Sequence, residues 1–304
     1  MITYLGGPHR RFAQPAEHHY PLLGLHEPGG EHLMQDGAPL VFTHELGHNP
    51  DHLGGFDYRP WARFRCIARL NNGYGAAGTI PLPRYYADFA RRVQNFVANS
   101  RGCTRWIIAN EPGHIQERPD GRIIHPTDYG RCFALCYAAI KDVQPEAEVI
   151  MAPIAPWYPP ESVPGGYLDY FELALHLCEP DAIALHTYSR GSNPGAIHED
   201  QILQGGIYKG NQWGFRAYRD FLDRVPPRFQ HLPVYVTECN QDGPWLDEAN
   251  GWWREARREI EDWNASGGQR ISALVGYRWP RYDQWHIDGL VNVQDDFAAA
   301  ALGN

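Results

Sequence analysis

Thr104-Arg105-Trp106-Ile107-Ile108-Ala109-Asn110-Glu111-Pro112 is an apolar run that stops on an amide and a carboxylate. Such a run reads as a buried strand with a polar tip. Seven more runs share its build: Pro21–His26, Leu40–His44, Phe64–Leu70, Glu148–Met151, Asp181–His186, Pro233–Glu238 and Ile271–Trp279. Helix-period segments lie between the later ones. Over 84–99, Tyr85, Phe89, Val93, Phe96 and Val97 recur at three- and four-residue steps. Over 128–143, with Thr127 as the expected N-cap, the stripe is Phe133, Cys136, Tyr137, Ile140 and Val143. Over 211–225, Phe215, Tyr218, Leu222 and Val225 run up to Pro226-Pro227, and over 252–265, Trp253, Ala256, Ile260 and Trp263 run up to Gly267-Gly268. Alternating strands and helices imply a parallel sheet, and eight strands close it. The expectation is an α/β chain forming one (β/α)₈ TIM barrel, a single domain over residues 1–304. The first two βα units are expected to be irregular, because 27–39 and 45–62 are rich in Gly, Pro, His and Asp. An open doubly wound sheet is the alternative, but no G-x-G-x-x-G follows the first strand.

A chain of 304 residues, 43% hydrophobic and 21% charged, buries enough core to need no metal or disulfide staple. Net charge is −9 with no basic stripe, which argues against a nucleic-acid or anionic-membrane partner. No apolar segment approaches the roughly 18 residues of a membrane span. Met1-Ile2-Thr3-Tyr4-Leu5 does not open a basic-then-apolar leader, so a cytoplasmic location is expected. The six cysteines, at 66, 103, 132, 136, 178 and 239, form no C-x-x-C pair and read as free buried thiols.

In such barrels functional groups gather at the C-terminal ends of the strands. The fourth strand ends at Asn110-Glu111 and the seventh at Glu238. An apolar barrel does not need a carboxylate at either place for packing, and two of them three strands apart can face each other across the mouth. Glycosidic cleavage uses that pair: one carboxyl protonates the leaving oxygen while the other attacks the anomeric carbon. The plain alternative makes each a solvated loop residue or a helix-capping acid. The sixth strand ends His186-Thr187-Tyr188, which puts His186 and Tyr188 on one face.

Asn-Glu-Pro at 110–112 and Thr-Glu at 237–238 resemble glycoside hydrolase clan A, which includes the cellulase-like family five and the xylosidase-like family thirty-nine. The likeness covers roughly residues 63–290. It implies a retaining hydrolase of β-glycosidic bonds in an oligo- or polysaccharide, with Glu111 as acid/base, Glu238 as nucleophile and carboxyls about 5–5.5 Å apart. It also implies that Asn110 bonds the sugar 2-hydroxyl, that Tyr188 holds the nucleophile and that His186 lines the same wall. Trp279 becomes the platform under the sugar, whose C–H face packs on an aromatic ring. Trp157, Tyr158, Trp245 and Trp285 are candidate walls of an extended cleft. The clan usually carries Arg or His near the ends of strands two and three. Here the third strand ends Arg69-Leu70-Asn71-Asn72, which leaves the inward side chain open; Asn71 is taken as a substrate contact. No cofactor and no metal is expected, and the expected partner is a carbohydrate substrate, with the oligomeric state left open.

A competing motif stands at 44–48, where His-Glu-Leu-Gly-His matches H-E-x-x-H, with His52 as a third zinc ligand and Glu45 as general base of a metallopeptidase. That chemistry needs one continuous helix. Pro39–Thr43 is strand-like and Pro50 follows closely, so the segment is expected not to be helical, and His44 or Glu45 is expected to border the sugar site. A barrel that binds carbohydrate without cleaving it is the third possibility.

Overall fold

The eight apolar runs are strands: β1 Leu23–His26, β2 Pro39–Glu45, β3 Arg65–Asn71, β4 Arg105–Ile108, β5 Glu148–Met151, β6 Ala182–Ser189, β7 Val234–Gln241 and β8 Ile271–Gly276. Each lies parallel to the next, and β1 pairs with β8, so the sheet closes into a barrel. The computed structural model describes residues 22–47, 54–158 and 161–303; Pro21, His48 and His52 lie outside the described residues. Parallel strands covered on both faces leave continuous apolar runs, which is why the sequence exposes them so plainly.

Among the described residues six helices coat the barrel: α1 Tyr86–Asn99, α2 Pro126–Val143, α3 Tyr167–Cys178, α4 Ala217–Asp223, α5 Trp252–Ala265 and α6 Val291–Leu302. Two of them, α3 and α6, are additions to the sequence reading. In α3, Leu173 and Leu177 are exposed while Tyr170 and Phe171 are buried, so apolar residues are not confined to the buried face and the three-four stripe is blurred. α4 is shorter than the expected 211–225, because Gln212 pairs with Ile202 in an antiparallel bridge instead of entering the helix. Thr127 is not the N-cap of α2. The helix starts at Pro126, whose missing N–H is no loss in a first turn, and His125 precedes it.

The first two βα units contain only the short 3-10 turns Glu31–Leu33 and Arg59–Trp61 among the described residues, as the composition of those loops led one to expect. The outer face of β2 is covered by aromatics in place of a helix. Phe42 and His44 pack against Phe56 and Tyr58, and His44 also against Phe96 of α1, with ring centroids between 4.8 and 5.8 Å apart.

Strand β7 carries an irregularity that matters for the site. Leu185 of β6 pairs with Val236, yet the next residue, His186, pairs with Glu238. Thr237 is therefore an extra residue, a bulge that reverses which side chains face inward beyond it. All six cysteines are buried and none is in a disulfide. No helix among the described residues is long and apolar enough to cross a membrane.

Candidate active site

The C-terminal ends of the strands open into a cleft of about 840 Å³. Alternation along each strand decides which side chains enter it. Thr43 pairs with Arg69 and Glu45 with Asn71, and these four line the cleft. At β4 the chain leaves the strand through two left-handed residues, Ala109 (φ 76°) and Glu111 (φ 36°). Each costs on the order of 1–2 kcal/mol for a residue with a Cβ, strain of the kind stored at functional sites. The turn brings Asn110 and Glu111 to the cleft side by side.

Glu238 sits at the floor, 6% exposed. Arg69 Nη1 donates to its Oε1 at 2.5 Å, and the Tyr188 hydroxyl donates to Oε2 at 3.0 Å. Burial alone raises a carboxyl's pKa, but His186, the Arg69 guanidinium and the Tyr188 hydrogen bond outweigh it here and hold Glu238 below the usual value. Glu238 is thus a carboxylate across the neutral range. Burial, with the Glu238 charge next to it, pushes Tyr188 well up, so its phenol keeps the proton it donates.

His186, fully buried, ties the two carboxyls together. Its Nδ1 shares a hydrogen bond with Glu111 Oε1 at 2.8 Å and stands 3.6 Å from Glu238 Oε2 and 3.2 Å from the Tyr188 oxygen. Three oxygens surround that nitrogen, and Tyr188 spends its one proton on Glu238. Beneath lies His26, buried, with Nε2 3.8 Å from Glu238 Oε1; burial and then Arg69 depress its pKa, so it adds no charge to the floor.

The structure brings together Glu111, Glu238, Asn110, Tyr188 and Asn71 along the cleft, with His186 directly behind the carboxyls. Two expected contacts lie elsewhere. His44 points outward: its Nε2 bonds the Tyr58 hydroxyl at 2.7 Å, and burial lowers it to about 4. Its strand neighbour Glu45 lines the cleft instead. Trp279 is not in the cleft wall. Its ring lies on Gly29 and Gly30, where a Cβ would come within 2.1–2.5 Å, and edge-on to His32. Of the four loop aromatics, Trp157, Tyr158 and Trp285 line the cleft, whereas Trp245 is buried against Trp252 and Trp253. On the β8 side the wall is Tyr277 and Trp285, organised by Asp283, which accepts from Tyr277 and Arg278 and from the Trp285 backbone N–H.

Arg69 resolves the open question at β3: it and Asn71 point inward, and Leu70 points out. The same alternation that put His186 with Tyr188 would have paired them. The sequence reading missed Glu117, and at the far end it missed Arg190, whose guanidinium lies 4.0 and 3.5 Å from the ring centroids of Trp157 and Trp213 while pairing with Asp242. These come from loops whose paths no local pattern announces. His44 and Glu45 end a strand, and Leu46-Gly47 are not helical, so the helix that H-E-x-x-H requires is not formed there. Among the described residues no three His, Cys, Asp or Glu side chains converge as metal ligands.

The sequence matches no protein-family model and no curated protein. Solved structures do resemble it. A family 39 glycoside hydrolase from Bacteroides cellulosilyticus WH2 superimposes with a TM-score of 0.56 at 17% identity, over 93% of this chain and 63% of that one. A glucosidase from Croceicoccus marinus gives 0.57 at 11%, over 95% and 69%. The cellulose synthase subunit Z from Clostridioides difficile gives 0.54 at 11%, over 92% and 99%. The chain thus spans under two thirds of the length of the family 39 enzyme. At these identities the likeness is one of fold, a closed barrel of eight parallel strands.

Proposed function

We propose that this chain is a retaining glycoside hydrolase that cleaves β-glycosidic bonds of an oligo- or polysaccharide, with Glu238 as nucleophile and Glu111 as acid/base, in one catalytic domain. The observation that carries the reading is the convergence of both carboxyls on one imidazole nitrogen. Glu111 Oε1 and Glu238 Oε2 lie 2.8 and 3.6 Å from His186 Nδ1, so at most their sum, about 6.4 Å, separates them. Retaining enzymes place the two groups about 5–5.5 Å apart, whereas inverting ones need roughly 6.5–9.5 Å to seat a water between. The names of the structural neighbours, a family 39 glycoside hydrolase and a glucosidase, agree with this chemistry.

The division of labour follows from the surroundings. Glu238, kept ionised by His186 and Arg69, attacks the anomeric carbon; the glycosidic C–O bond breaks as Glu111 gives its proton to the leaving oxygen. A glycosyl ester on Glu238 results. Glu111, now a carboxylate, takes a proton from water, whose oxygen attacks the anomeric carbon and frees Glu238. The cleft's Trp285, Tyr277 and Trp157 offer ring faces to sugar C–H groups.

The test separates the two glutamates. Glu238→Ala should abolish turnover of every glycoside the native chain cleaves. Glu111→Ala should spare the first step for a dinitrophenyl glycoside, whose leaving group needs no proton, and added azide should restore turnover with retained configuration. Azide rescue of Glu238→Ala with retained product would reverse the roles. A native chain that binds glycans yet cleaves none would favour a binding barrel.

A further inference from the structure

Glu117 stands in the short turn Ile115–Glu117 after β4, lines the cleft and is only 4% exposed. Its backbone carbonyl accepts from the Thr79 N–H at 3.0 Å, and the Thr79 hydroxyl accepts from the Asn110 N–H at 2.5 Å. The side chains form a relay. Asn110 Nδ2 donates to Glu117 Oε1 at 2.9 Å; Asn110 Oδ1 accepts from Arg69 Nη1 at 2.7 Å; and the same Nη1 donates to Glu238. A guanidinium has no acceptor, so the Asn110 oxygen must face Arg69 and its amide nitrogen must face Glu117. The carboxamide cannot be turned over without breaking both bonds. One Nδ2 hydrogen is engaged by Glu117, and the other is left for the cleft.

We propose that Glu117 is a positioning residue that locks the Asn110 carboxamide so that its free N–H meets a hydroxyl oxygen of the sugar beside the reacting carbon. This role rests on the glycosidase reading above. The second oxygen of Glu117 is buried without a hydrogen-bond partner. Burial, with Glu111 and Glu238 adding to it against the Asn110 bond and Arg69, pushes the carboxyl up to about 8. Glu117 is consequently a neutral acid at pH 7. The charged and titratable groups that face it are Arg69 from β3, Glu111 beside it, Glu238 across the floor and Tyr74 at the rim. Ionisation adds a negative charge beside Glu238 and draws Arg69 away from it.

The experiment compares native chain, Glu117→Ala and Glu117→Gln on a dinitrophenyl β-glycoside and its 2-deoxy counterpart, from neutral to alkaline pH. Such a leaving group departs without a proton from Glu111, so kcat/KM is read free of that step. Glu117→Ala should lower kcat/KM about tenfold on the full glycoside, the worth of one hydrogen bond, and barely change it on the 2-deoxy substrate. Glu117→Gln keeps an acceptor for Asn110 and cannot ionise. It should retain neutral activity within a few-fold and stay level above pH 8, where the native chain declines. Equal losses on both substrates, or an alkaline decline in Glu117→Gln matching the native one, overturn the proposal. If Glu117→Ala fails to fold, the Glu117→Gln profile decides alone. A native chain that cleaves neither substrate overturns the function reading and this role with it, an outcome distinct from any difference among variants.

Discussion

Arg69→Met is the most informative single change, because it leaves the volume of the site nearly intact and removes one charge. Arg69 and Glu238 are 6% and 8% exposed along their side chains and 2.5 Å apart. At an effective dielectric of about 20 their gross attraction is roughly 6–7 kcal/mol, most of it opposed by desolvation of the two ions. Deleting one member of such a buried pair typically costs about 3–5 kcal/mol. His186 and the Tyr188 hydroxyl still face Glu238, which puts the expected loss near the lower end, about 3 kcal/mol. The sign of its pH dependence is fixed. In the native chain the depressed Glu238 contributes stability that is present above the unfolded value of 4.5 and is lost as pH falls through the folded value. In the variant burial prevails and the carboxyl takes up a proton instead of remaining unpaired, so the destabilisation should be largest near neutrality and shrink in acid. Urea unfolding at neutral and acid pH measures this directly. In kinetics, the acid limb of kcat/KM, below pH 4.5 for the native chain, should move upward, with activity on its acid side falling on the order of a hundredfold, about 3 kcal/mol at 1.36 per decade. A destabilisation independent of pH together with an unmoved acid limb would refute the claim that Arg69 holds Glu238 ionised. Thr43→Val, which removes only the hydroxyl that accepts from Nη2, should leave the limb in place.

Tyr188→Phe deletes a 3.0 Å hydrogen bond to a buried carboxylate, worth about 1.5–3 kcal/mol, so kcat/KM should fall roughly ten- to a hundredfold and the acid limb should shift the same way as in Arg69→Met. His44→Gln should lower stability by about 1 kcal/mol through the Tyr58 bond and leave KM and kcat unchanged, as calorimetry and steady-state kinetics can check. Exhaustive chelation should leave glycoside turnover intact; activity lost with chelator and restored by zinc would reinstate the 44–48 motif.

The barrel was legible because strands buried on both faces leave unbroken apolar runs, and Glu111 and Glu238 were legible because charge at the tip of such a run has no packing use. What escaped depended on facing and on loop path. His44 and Glu45 are adjacent, and only alternation fixed to a neighbour of known direction tells that Glu45 turns inward. Trp279 reads as the platform and Trp285 as a cleft wall in sequence; the loop after β8 lays the first on Gly29-Gly30 and puts the second in the cleft wall. Glu117 accepts a hydrogen bond from Asn110, seven residues away across a turn, and nothing periodic links them.

The extra residue at Thr237 makes the aim of Glu238 depend on chain length more than on chemistry. Before it, Tyr235 shares the barrel interior with Arg65; after it, Glu238 and Asn240 do the inward pointing. Odd positions thus hand over to even ones within a single strand. Removing or adding one residue between Val234 and Glu238 would swing the carboxylate half a turn into the helical coat, while a change of two would return it to the mouth. Tolerance to length variation in β7 should therefore follow parity, with viable variants separated by pairs of residues.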